Sequence, residues 1–198
     1  MFKNDQRGFT LLELTVVIAI IILLSGIVLT NYRIGEREYA LLRSAHKLAQ
    51  DLRTVEKMAM ASETLPASSG EWFPQGGYGI YFNQQENPNS YILFADCNKN
   101  YIKDTVYTCI ENSAPEEIKE LSLEEKIKIS NLELFSKTFG TIPVSSFSVT
   151  FFPPDPQIKI MSDPTSPEYD SATITLTYSD GEIKTVKINT VGLIEIGH

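Results

Sequence analysis

The chain has 198 residues, enough for one anchored domain or a compact pair with a genuine hydrophobic core. Its 25 Asp plus Glu outweigh 17 Lys plus Arg, giving a formal charge of −8. That acidity argues against a broad phosphate-binding surface, and so against nucleic acid as a main partner, while leaving room for a small basic patch.

The first element is apolar. Phe9 to Thr30 holds 22 residues with Glu13 as the only charge, and a helix of that length would span a bilayer core of about 30 Å. Lys3 and Arg7 precede it, so the positive-inside tendency keeps the N-terminus cytosolic and sends the rest outward. A cleavable secretory signal would need a small-x-small site after the apolar core. Ser25 and Gly26 are adjacent instead, and lead straight back into Ile27, Val28 and Leu29. A plain signal anchor accounts for length and orientation but gives Glu13 no task, although a carboxylate in a membrane helix costs about 2.5–3.5 kcal/mol.

The residues Gly8, Phe9, Thr10, Leu11, Leu12 and Glu13, behind a short basic leader and ahead of the apolar run, closely resemble the class III signal of type IV pilins and type II secretion pseudopilins. The resemblance implies that a membrane prepilin peptidase cuts between Gly8 and Phe9 on the cytosolic side and that the new amine of Phe9 is N-methylated. Residues 1–8 are then a leader to be removed. Gly8 suits such a site, since it lowers local helix stability and lets the backbone open. In a packed filament core, the Glu13 carboxylate of one subunit would neutralise the Phe9 amine of a neighbour, which makes two costly charges tolerable as a pair.

Beyond the membrane the helix is expected to continue over 31–65. Leu42, Ala45, Leu48, Ala49, Leu52, Val55 and Ala59 recur at spacings of three and four, a stripe suited to packing against a globular head. Gly26, Asn31 and Gly35 are weak helix formers where bending or local melting is expected. Pro66 and the Ser68–Gly70 run then mark the helix end. From there to 198 the period becomes two. Strands are expected at 77–82, 91–96, 106–110, 126–130, 147–152, 157–161 and 172–178, and Asp180-Gly181 suits a tight hairpin turn after the last. A long N-terminal helix followed by an antiparallel β head is an α+β architecture, and the arrangement that the pilin resemblance implies. The stretch LAQDLRTVEKMAMASE and the C-terminal NTVGLIEI are also similar to the H-type minor pseudopilins and related minor pilins.

Cys97 and Cys109 are the only cysteines. An exported head meets an oxidising compartment, so a 97–109 disulfide is expected, worth about 3 kcal/mol by chain entropy; two free buried thiols are the alternative. Two cysteines without a neighbouring histidine make a poor zinc site. The same stretch places Asp96, Asn98, Asn100 and Asp104 at offsets 1, 3, 5 and 9 of an EF-hand-like register, with the Ile102 carbonyl between. Hard oxygens at alternate positions suit calcium. Tyr101 stands at the glycine offset and Tyr107 at the glutamate offset, which favours Asx turns without metal, and no other cofactor is expected.

No glycine-rich phosphate loop, HExxH or GxSxG occurs, and the two histidines are His46 and His198. An enzyme is therefore not expected. Trp72 and Phe73 are expected to cap the core, and PEEIKELSLEEKIKI to form a solvated strand edge. The reading is a structural assembly subunit, a minor pilin or pseudopilin of a type IV pilus or type II secretion filament. Its expected partners are other pilin or pseudopilin subunits, prepilin peptidase, the inner-membrane assembly platform and the membrane itself. It starts as a single-pass inner-membrane protein with the head outside, and ends in a periplasmic or cell-surface filament. A monomeric, signal-anchored binding module and a DNA-capturing competence minor pilin are the alternatives.

Overall fold

A computed structural model describes residues 9–67, 70–104, 116–153, 157–179 and 181–197. The chain is α+β: among the described residues, one long helix, α1 (Leu11–Met60), precedes twelve strands. It divides into two compact units, one up to Tyr39 and one from Ala40 onward.

In the first unit, α1 carries large apolar side chains from Leu11 to Leu29 on every face, and all of them are exposed. Thr15, a polar exception, donates its hydroxyl to the Leu12 carbonyl at 2.8 Å, which satisfies the group inside the helix itself. The helix runs unbroken through Gly26, Asn31 and Gly35, so local melting there is not seen.

In the second unit, the rest of α1 buries one stripe. Leu41, Ala45, Leu48, Leu52, Val55 and Ala59 are at most 1% exposed, alternating steps of four and three that keep them on one face. Leu41, not Leu42, opens the stripe; Leu42 is only half-buried. The helix also stops at Met60, five residues before the expected 65. The Glu63 N–H reaches the Met58 carbonyl at 3.1 Å and the Ser62 N–H reaches Ala59 at 3.1 Å, with Ser62 at φ 50°. This pair of bonds is a Schellman cap, built on serine where glycine is usual. The absent glycine hid the stop, and Pro66 drew the boundary too late.

The strands are β1 (Leu65–Ala67), β2 (Gly70–Trp72), β3 (Gly77–Asn83), β4 (Ser90–Asp96), β5 (Glu117–Ser122), β6 (Ile127–Ser136), β7 (Gly140–Pro143), β8 (Ser146–Phe152), β9 (Gln157–Met161), β10 (Ser171–Tyr178), β11 (Ile183–Asn189) and β12 (Ile194–Gly197). β1 and β2 form a small ribbon, and the others form two five-stranded sheets in the orders β12-β11-β10-β6-β7 and β5-β4-β3-β8-β9. Every pairing is antiparallel. Alternation places Ile174, Leu176, Val186 and Ile188 of the first sheet, and Ile80, Phe82, Val149 and Phe151 of the second, in one core with the helix stripe. Phe73 packs on that core and meets Tyr78 edge-on at 6.1 Å. The expected hairpin is present: Tyr178 donates to Glu182, and Gly181, at φ 94°, supplies the turn's positive φ. The segment expected as a strand at 106–110 lies outside the described residues.

β4 is buried on both faces, which an antiparallel strand with one solvated side would not be. Its outward face is covered from within the chain. Residues 97–104 fold back from the end of β4 over its neighbours in the same sheet, with Ile102 buried, Tyr101 over Phe152 of β8 at 5.4 Å between ring centroids, and Lys103 5.6 Å above the Tyr81 ring of β3. Gly79 makes room on that face, since a Cβ there would meet the Phe94 ring at 2.5 Å.

Candidate functional site

Two places carry the residues marked by the sequence. The first is the start of α1. Gly8 lies outside the described residues; Phe9, next to the expected cut, is 86% exposed. Glu13 sits in the first helical turn. The Thr10 hydroxyl accepts the Glu13 N–H at 3.2 Å, and the Glu13 carboxylate reaches back to the Thr10 N–H at 3.4 Å. Thr10 and Glu13 therefore form a capping box, T-x-x-E, in which two otherwise unpaired backbone donors are satisfied reciprocally. The capping box was not read from the sequence, although TLLE before an apolar run is its signature. The negative charge also lies at the positive end of the helix dipole, a favourable position. Glu13 thus has a partner inside its own chain, and its carboxylate remains exposed to a second one.

The second place is the loop after β4. Asp96 is wholly buried, accepting N–H bonds from Asn98 and Lys99 on Oδ1 and from Tyr101 on Oδ2, at 2.8–3.2 Å. Burial raises its carboxyl above the usual range against the pull of those donors. Lys99 and Tyr101 both take positive φ, 61° and 64°, so the tyrosine at the glycine offset adopts the conformation that a glycine would have there. Asn98 and Asn100 accept the N–H groups of Asn100 and Ile102, respectively, and both donate their amide N–H to Asp104 Oδ2, at 2.7 and 2.8 Å.

This is a chain of Asx turns. The asparagine oxygens serve the loop backbone while amide nitrogens face the Asp104 carboxylate, the opposite of the oxygen shell that calcium needs. Among the described residues, no group of three or more His, Cys, Asp or Glu is placed to hold a metal ion. The arrangement does not fit calcium.

Glu116, which was read as part of a solvated edge, is instead wholly buried here. It accepts the Asp104 N–H at 2.7 Å and the Cys97 N–H at 3.3 Å, tying both ends of the loop to the start of β5. Burial pushes its carboxyl up to about 7, with Asp104 and Asp96 adding to the rise and the two backbone donors opposing it. A proline-flanked glutamate pair gave no local sign that one member turns inward. Cys97 is half-buried at this loop, and Cys109 lies outside the described residues.

Residues 3–29 match the family model of the prokaryotic N-terminal methylation motif. That match supports a class III signal of the type IV pilin-like kind, with Leu11–Leu29 long and apolar enough to cross a membrane. No curated protein and no solved structure matches the chain.

Proposed function

We propose that the protein is a structural filament subunit, a minor pilin or pseudopilin, without enzymatic activity. In this reading prepilin peptidase cuts before Phe9, the amine is methylated, and the apolar helix leaves the membrane for a bundle of sister helices through the inner-membrane assembly platform. The observation that carries it is the methylation motif on a helix whose residues Leu11–Leu29 bury nothing within their own chain. Such a surface needs an apolar surrounding supplied from outside, first by lipid and then by other subunits. The head lies outside the cytoplasmic membrane, and Cys97 pairs there with Cys109; Cys97 has no free thiol. Similarity of the helix and C-terminal hairpin to the H-type minor pseudopilins supports that subtype.

Intact-mass and N-terminal analysis of membrane-extracted protein tests the reading. The chain should begin at methylated Phe9; retention of residues 1–8 sinks it. A second reading, a monomeric anchored binding module, draws on the capping box, which gives Glu13 a task without any sister subunit. Glu13→Gln separates the two. A filament subunit should be processed but fail to co-assemble, whereas a monomeric module should be unaffected, since glutamine also completes the capping box.

A further inference from the structure

The edge strands of the two sheets are not protected alike. β5 carries Glu117, Lys119 and Glu120, β7 ends in Pro143, and β9 follows Pro153, Pro154 and Pro156, all devices that discourage a further strand. β12 reads Ile-Glu-Ile-Gly, with no proline or lysine, and its one charge, Glu195, stands opposite Lys187 on β11.

Its free backbone can be located. Asn189 N–H donates to the Leu193 carbonyl at 3.2 Å, so hydrogen-bonded pairs of this ladder recur at Lys187–Glu195 and Thr185–Gly197. The N–H and C=O groups of Ile194 and Ile196 therefore point away from β11, along the open edge. The side chains of these two residues are half-buried, while Val186 and Ile188, one strand inward, are fully buried. The core layer is thus unfinished at this edge.

Beside it runs a groove of about 530 Å³, walled by His46, Ala49, Gln50 and Arg53 of α1 and floored by Ile194 and Ile196. From His46 to Arg53 is about 10 Å along the helix, the length of about three residues of extended chain. Arg53 is exposed and, among the described residues, forms no ion pair, with Lys57 one turn further on. The facing acids are Glu56, near Gly192 at one end, and Glu195, whose ladder partner is Lys187.

We propose that β12 and this groove take up an extended, acidic peptide segment of a partner protein. The segment adds to the sheet as a further strand, uses the free groups of Ile194 and Ile196, completes the apolar layer, and places a carboxylate on Arg53. No residue of Leu11–Leu29 lines this groove, so failure of the processing or Glu13 experiments leaves this inference standing.

The test uses the full chain in detergent micelles with blocked VEVEVE and VKVKVK peptides and a short duplex DNA as probes. VEVEVE should bind and slow exchange of the Ile194 and Ile196 amides. Arg53→Glu, on the exposed helix face, should keep the melting temperature and weaken binding at least about tenfold. Ile196→Pro, which removes an outward N–H, should weaken it similarly. Equal binding of VKVKVK, DNA binding that Arg53→Glu abolishes, amides already protected by concentration-dependent self-association, or VEVEVE binding without slowed exchange would each overturn the proposal.

Discussion

Leu11–Leu29 and Ala40–Met60 belong to one helix and solve opposite problems. The first stretch is apolar on all faces and wholly exposed; the second is apolar on one stripe, which the head buries completely. A helix greasy all round cannot be satisfied by a single sheet, so its partner has to come from outside the chain, as lipid or as other helices. A striped helix is satisfied at home. Local apolarity therefore separates the stretch that finds no cover within its own chain from the stretch that the head buries.

The largest expected effect tests that separation directly. Leu52→Ala should cost the head about 2–5 kcal/mol in urea unfolding, followed by the fluorescence of Trp72, because it leaves a cavity among fully buried neighbours. Ile20→Ala should leave head unfolding within about 0.5 kcal/mol. Equal losses for both would mean that the two stretches are not independent.

Gly79→Ala should come next, at about 1–3 kcal/mol by the same measurement, since the new methyl meets the Phe94 ring and, at 2.9 Å, the Val149 carbonyl. The effect should be confined to the head and leave membrane retention unchanged.

A third prediction concerns pH. Glu116 has its carboxyl pushed up to about 7 from an ordinary 4.5, so between those values the folded head holds a proton that the unfolded chain has lost. Stability from this group is therefore fully present below about 4.5 and declines as pH rises through about 7. Melting temperatures across this window should fall with pH, and Glu116→Gln should flatten the slope by about one proton; an unchanged slope would contradict the buried position. Asp96, raised in the same direction, adds to the trend in both proteins.

The smallest effect is a gain. Ser62→Gly at the helix cap, where φ is 50°, should stabilise the head by about 0.5–1 kcal/mol. No gain would show that Ser62 is not strained there.

By itself the sequence determined whatever depends on neighbours a few residues apart. GFTLLE and the apolar run after it marked the signal and the anchor, the three-four spacing from Ala45 to Ala59 marked the buried helix face, and Asp180-Gly181 marked the last hairpin. These were legible because period and turn chemistry act within one element. Tertiary structure alone decided what distant segments do to one another. It placed Leu41 in the core ahead of Leu42, turned Glu116 inward onto a loop that begins nineteen residues earlier, covered the second face of β4, and left β12 as an unprotected edge. Those outcomes rest on which strands become neighbours, and the free energy of burying a group depends on what lies across from it, which no local pattern records.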